Sequence, residues 1–298
     1  MVIHNKVREG SRIATVIMYI LAVLVILITV YPMYYVLILS LSEPIAALSM
    51  QVYTIPKGFT LTAYKLIVSN IEMWQAMGNT VMYVLFTTLL MLITSFLGAF
   101  PLTFKALIGR KFVNTYFLIT MFFSGGMIPG FLLIMKLGMY DKPSSIIIPA
   151  CFSVWNIILV KAYLSTVPET LREAAEIDGA SIYTMLLRIY IPLATPILAV
   201  VAVYTVVGVW NSWFGAMIYL PSRTWQPLQL FLRRMLVTSQ IPAAAMSEEA
   251  VAEAARQRIA YAQLKYAMII FSSLPVLFTY PFFQKYFMKG IMLGSLKE

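Results

Sequence analysis

Charge is what this 298-residue chain has least of: Lys, Arg, Asp and Glu together make up 11% of it. Typical soluble domains carry about 25%, so an ordinary water-soluble globule is excluded. The chain has one histidine, His4 in the N-terminal tail, and one cysteine, Cys151 within an apolar run. A lone cysteine excludes an intrachain disulfide and leaves the redox compartment open. A lone tail histidine excludes histidine-based metal or nucleophilic sites within the apolar runs. A Gly-x-x-x-x-Gly-Lys-Ser/Thr phosphate loop is missing too. The one comparable cluster, Gly109-Arg110-Lys111, lacks the upstream glycine and the hydroxyl residue, so the chain is not its own ATPase of that type. No carboxylate falls in the middle of an apolar run, which counts against a proton relay.

What is abundant is apolar sequence, at 61% of the chain. Runs of about 20 apolar residues are long enough to span a bilayer. The reading is one all-α, polytopic membrane domain over 1–298 with six spans, near 14–41, 77–104, 116–137, 146–164, 194–220 and 267–286. The first run exceeds a signal-peptide core of about 7–15 residues and reads as a retained helix. The net charge of +10 comes from basic residues in short loops, the positive-inside pattern, rather than from a nucleic-acid-binding patch. Counting Lys and Arg places both termini in the cytoplasm and the loop 221–266 outside. Ser124-Gly125-Gly126 and Pro129-Gly130 interrupt the third run. Close helix packing by small residues is preferred there over a hinge or an unwound stretch.

The loop at 165–193 carries a denser polar pattern. Thr166, Pro168 and Glu169 read as a capping box, with a helix through Leu171, Ala174 and Ala175. Asp178-Gly179 ends it, since glycine accepts left-handed geometry. Ser181 caps a second helix reaching the Ile191-Pro192 boundary. A helix, sharp turn and helix suits mechanical coupling to a partner, and physics alone weighs that evenly against an ordinary connector.

Glu173-Ala174-Ala175, three residues, Gly179, nine residues, Ile189 and then Pro192 resembles the "EAA" motif of bacterial ATP-binding-cassette (ABC) import permeases. The departure is Ile191, where the consensus has Leu. The Phe59–Tyr64 stretch, Asn79, Trp210-Asn211 and the ending Gln284-Lys285-Tyr286-Phe287 with Lys289-Gly290 and Gly294 are similar to the carbohydrate-uptake branch, in its maltose-type, G-subunit-like form. The segment 241–265 and the tail resemble the alginate-type branch that handles uronate oligosaccharides. The resemblance implies a type I importer permease fold and a coupling helix at Glu173, Ala174, Ala175, Asp178, Gly179 and Ala180, followed by Pro192. It implies a transport subunit rather than an enzyme, in the cytoplasmic (inner) membrane, with no cofactor of its own. ATP and Mg sit on a partner. The implied assembly has a second homologous permease as heterodimer partner, two nucleotide-binding subunits and an extracytoplasmic solute-binding protein. A different solute, or an energy-independent channel, is the alternative.

A sugar path wants aromatic platforms and amides with few fixed charges. The chain offers Asn79, Tyr83, Asn156, Tyr204, Trp210 and Asn211, with Asn211 preferred. For Asn156 a bond to a neighbouring helix competes with sugar contact. Trp213, Tyr219 and Trp225 read better as an interfacial belt. In the outer loop, Arg223, Arg233 and Arg234 are the residues to touch a binding protein or an anionic substrate. Ser247 caps a helix there, with a weak Glu253–Arg256 pair; a solvated surface helix is an equal reading.

Overall fold

The computed structural model describes residues 3–49, 51–238 and 263–279. Every regular element among them is helical: α1 Ile3–Ser40, α2 Pro44–Leu48, α3 Thr62–Ser69, α4 Ile71–Ala99, α5 Arg110–Phe122, α6 Met127–Lys136 and α7 Ser144–Ala150. Then come α8 Val154–Leu164, α9 Glu169–Ile177, α10 Ile182–Thr184, α11 Ile191–Trp210, α12 Phe214–Tyr219 and α13 Leu228–Thr238, followed by α14 Gln263–Thr279. Four stretches are long and apolar enough to cross a membrane: Ala14–Ser40, Ile71–Thr103, Ser144–Leu164 and Ile182–Trp210. The bent pair α5 and α6 makes up to a fifth. Of the expected sixth span, 267–279 falls in the shorter apolar helix α14; 280–286 lie outside the described residues, as do Ser247, Glu253 and Arg256.

The chain divides into two compact units. One comprises Met1–Asn70 with Arg234–Ser273. Here α1 runs through Pro32 and ends on a buried cluster of Ile38, Leu39, Ala47 and Val52, against which Tyr35 and Tyr266 pack. Its last turns carry buried polar groups that all find partners, as burial demands. Ser42 Oγ donates to Ile38 O, Ser40 Oγ meets the Tyr64 hydroxyl at 2.7 Å, and Gln263 Nε2 donates to Ser40 O. The chain reverses at Gly58, where φ is +62° and a Cβ would lie 2.9 Å from that of Glu43; only glycine fits so close an approach.

The other unit comprises Ile71–Arg233 with Leu274–Glu298. Its core joins α4, α8 and α11 through Met91, Phe96, Ala99, Ile157, Val160, Ala194, Ile197 and Val201, all buried. Lipid tails are as apolar as these side chains, so close van der Waals packing rather than water exclusion holds such helices together. Gly98 lets α4 lie close against α8: a Cβ there would meet Ile157 Cδ1 at 3.0 Å.

Three sequence expectations change. The third run is broken rather than packed: α5 and α6 meet at 110° across Phe123–Gly126. Gly126 has φ +86° and open space around it, and Gly125 approaches only Pro129 of its own segment, at 4.0 Å. These two glycines turn the chain, while Gly130 nears α12, a Cβ there lying 3.8 Å from the Tyr219 hydroxyl. The fifth span starts earlier than 194, because Ile182–Trp210 is one helix that runs straight through the expected boundary at Pro192. The turns at Met185–Tyr190 widen to π-helix, and Ile191 N–H reaches back five residues to Leu186 O. A widened turn accommodates the ring and missing N–H that would otherwise break a regular helix. The same span ends at Trp210 rather than at 220, after which Phe214–Tyr219 forms the separate α12.

Candidate functional site

The loop 165–193 folds as a helix, a glycine turn and a helix. α9 begins at Glu169 with Pro168 at the cap position and no side-chain cap bond. The expected capping box is therefore not formed. Thr166 Oγ1 donates instead to Tyr163 O, and Glu169 is drawn away to Lys105. The far end is as the spacing predicts. Gly179 has φ +72°; its N–H donates to Glu176 O and that of Ala180 to Ala175 O, the paired bonds of a Schellman motif. Ser181 Oγ accepts the Thr184 N–H at 3.2 Å, opening the long helix Ile182–Trp210.

This geometry divides the motif between two faces. Ala175 is buried, packed in the cluster of Phe100, Leu164, Met185 and Tyr190. Glu173, Ala174, Asp178 and Gly179 face solvent, and Ala180 is half-buried beneath the turn. Pro192 is exposed on the following helix. Beside the exposed motif residues stand two large apolar side chains, Ile177 at 86% exposure and Tyr183 at 74%. Sequence reasoning did not single these out as site residues; apolar residues inside the most polar loop were the available signal.

A clamp holds α9 to the segment that follows α4, and the sequence did not disclose it. Glu169 accepts from Lys105 Nζ at 2.7 Å and from Arg172 Nη2 at 3.1 Å. Arg172 also lies 3.8 Å from Glu176 and stacks over the Phe104 ring at 5.4 Å. The hydrogen bond and charge of Lys105, aided by Arg172, hold the Glu169 carboxyl below the usual glutamate range. The partners are 64 residues apart in the chain, beyond any local pattern. Clamp and helix border a cavity of about 300 Å³ lined by Thr103, Arg110, Leu164, Ser165, Val167 and Tyr190, among others.

The proposed path residues scatter. Asn79 is buried, and its Nδ2 donates to the carbonyls of Thr224 and Gln226. Tyr83, 1% exposed, donates to Trp225 O at 2.7 Å. Both side chains are thus engaged with backbone carbonyls of the 223–226 segment and fasten α4 to it. Trp210 and Asn156 are also buried, Asn156 in the first turn of α8. Tyr204 and Asn211 are exposed, although Asn211 Nδ2 already donates to Val207 O where it ends α11. Of the outer cations, Arg223 lies 3.5 Å from Glu72. Arg233 sits over the Trp213 ring, 3.5 Å from its centroid. Arg234 is half-buried on α13. Among the described residues, no group of three or more His, Cys, Asp or Glu side chains could hold a metal ion.

Comparison with known proteins places this architecture. No family model matches the chain. Protein LplC of Bacillus subtilis (strain 168) is 33% identical over 91% of this chain and 90% of its own length. The polygalacturonan/rhamnogalacturonan transport system permease protein YtcP of the same organism is 31% identical over 96% of this chain and 99% of its own. Among solved structures, a chain of a bacterial ABC transporter involved in the import of the acidic polysaccharide alginate aligns with TM-score 0.82 and 30% identity, over 93% of this chain and 98% of that one. An all-helical chain with apolar spans and an exposed EAA-type helix, and relatives of this kind matched along nearly their whole length, make one assignment: the chain belongs to the membrane-embedded permease subunits of ABC-type carbohydrate importers.

Proposed function

We propose that this chain is one of two pore-forming permeases of an ATP-driven importer for acidic oligosaccharides. It pairs with a second, homologous permease, receives solute from an extracytoplasmic binding protein, and is driven by two nucleotide-binding subunits that carry ATP and Mg²⁺. The observation that carries this reading is the exposed face of α9 joined to a span without interruption. Glu173, Ala174, Ile177 and Asp178 are presented for a partner, and the Schellman turn at Gly179 connects them to the continuous helix Ile182–Trp210. A push on α9 therefore reaches the membrane through one short, hydrogen-bonded turn. The partner's closure biases a two-state rocking of the spans, through contacts that differ between inward- and outward-open forms.

In this reading six spans leave both termini in the cytoplasm, where the EAA helix meets the ATPase. Tyr204 and Asn211, both exposed, face the solute. Arg223, Arg233 and Arg234 stand at the outer mouth toward the binding protein or the carboxylates of its cargo. Acidic cargo is favoured by the relatives at 30% identity or more whose names state a substrate: one serves polygalacturonan and rhamnogalacturonan, the other alginate. Relatives serving arabinooligosaccharides and melibiose, raffinose or stachyose are 25–26% identical, which makes neutral oligosaccharides the second reading.

The test is a gentle detergent pull-down of the tagged chain, with ATPase measured on galacturonate, mannuronate/guluronate and neutral oligosaccharides plus the co-purified binding protein. Recovery of an ATPase and a second permease, with stimulation by an acidic series, is expected. Stimulation only by neutral sugars overturns the cargo assignment, and a chain that never co-purifies with an ATPase overturns the importer.

A further inference from the structure

We infer that the cavity beneath α9 is a binding site for the phosphate of an anionic phospholipid. Three cations line it, Lys105, Arg110 and Arg172, against one carboxylate, Glu169. Arg172 and Lys105 share that carboxylate. Arg110 has no carboxylate partner among the described residues: its Nε donates to Leu102 O at 2.9 Å, and the rest of its fork is left for an anion. Guanidinium forks match phosphate oxygens two at a time.

Depth and surroundings select a lipid over a free anion. The cavity is walled by Thr103 and by Leu164 with Ser165. Leu164 is the last residue of the 21-residue span Ser144–Leu164, about the length that crosses the hydrocarbon, so its end marks the level of the headgroups, where basic pockets between spans suit phosphate. Leu164, Val167 and the Phe104 and Tyr190 rings supply apolar wall for a glycerol backbone. Beside Arg110 the segment turns outward a row of exposed apolar side chains, Leu107 at 37%, Ile108 at 97% and Phe112 at 75%. Acyl chains have a surface to follow there, whereas inorganic phosphate gains nothing from it. A lipid so held touches Glu169 and Arg172 on the first turn of α9. The inference rests on the spans and the cavity, and holds whichever solute is carried.

Native mass spectrometry of the complete complex in neutral detergent, with phosphatidylglycerol and phosphatidylcholine added in equal amount, tests this. Phosphatidylglycerol should be retained preferentially, and retention should fall about fivefold in Arg110→Gln, on the scale of one cation at a headgroup surface. Arg110→Lys, which keeps the charge but not the fork, should recover only part of it. Lys111→Gln removes the same charge one residue away, outside the cavity, and should change nothing. Equal loss in Lys111→Gln overturns the site in favour of diffuse surface attraction. Displacement of the lipid by inorganic phosphate as potently as by short-chain phosphatidylglycerol overturns the lipid assignment in favour of a free anion. Should Arg110→Gln fail to fold, Lys105→Gln serves instead: its side chain is 77% exposed, and unchanged retention in that variant overturns the site.

Discussion

Asn79 shows how a single residue changes meaning once its neighbours are known. In sequence it is an amide near a span end, a natural sugar contact. In the fold its two N–H groups hold the carbonyls of Thr224 and Gln226. Removing a donor from buried acceptors costs about 1–3 kcal/mol. Asn79→Ala should therefore lower the melting temperature of the purified protein while leaving the KM for transported solute unchanged. A raised KM at unaltered stability would show that the amide faces the path after all. Glu169 is a second case. Its carboxyl is held low by Lys105 and Arg172, so the ionised, clamped form persists through the usual glutamate range as pH falls and is lost only at the lowered value. Infrared difference spectra, with Glu169→Gln as reference, should show the carboxylate band intact at mildly acid pH; protonation at or above the ordinary glutamate range would contradict the clamp.

At the scale of elements, the proposed coupling depends on how α9 is tied to the spans. Two of its ties can be tested singly. One is the turn at Gly179, where φ is +72° and no neighbour lies within 4 Å of the point a Cβ would occupy. Space is therefore not the constraint there; backbone strain is. Gly179→Ala should strain the turn by about 1–2 kcal/mol and lower solute moved per ATP hydrolysed, with Gly179→Asn milder because asparagine tolerates that geometry. Wild-type coupling in the alanine variant would refute the role of the turn. The other is the Lys105–Glu169 clamp to the segment that follows α4. Being exposed, the pair adds little stability, so its signature is mechanical. Lys105→Glu should reduce uptake per ATP, and the reversed pair Lys105→Glu with Glu169→Lys should restore it. Failure of the reversal to rescue, in protein that is folded and assembled, would assign the effect to something other than the pair.

For the whole molecule, the proposed function places ATP hydrolysis on partner subunits, and the chain itself carries no Gly-x-x-x-x-Gly-Lys-Ser/Thr loop. The purified chain alone should release no phosphate from ATP, and hydrolysis should appear when the nucleotide-binding subunits are co-expressed; turnover by the isolated chain would contradict the assignment. Much of this was legible in one dimension. Runs of about 20 apolar residues require spanning helices because backbone groups in lipid must be satisfied within the segment. The EAA spacing and the Gly179 turn follow from local geometry, since a Schellman end depends on a few adjacent residues. The span starts and breaks did not follow so directly. Pro192 looked like a boundary, yet a π-helical turn carries the helix through it. The glycines at 125–126 looked like packing sites, yet they form a bend of 110°. Neither outcome is set by the residues' own preferences, because neighbouring elements decide whether a helix with a missing hydrogen bond continues or turns. The division of the motif into a buried Ala175 and an exposed Glu173, the Lys105–Glu169 clamp and the fastening of α4 by Asn79 and Tyr83 all join residues remote in sequence. The sequence by itself determined the apolar spans, the helical class and the glycine turn at 179, each a consequence of composition or of contacts within one or two turns. Only the tertiary structure decided which polar groups hold the helices together and which remain for partners, because that depends on where separate helices end against one another.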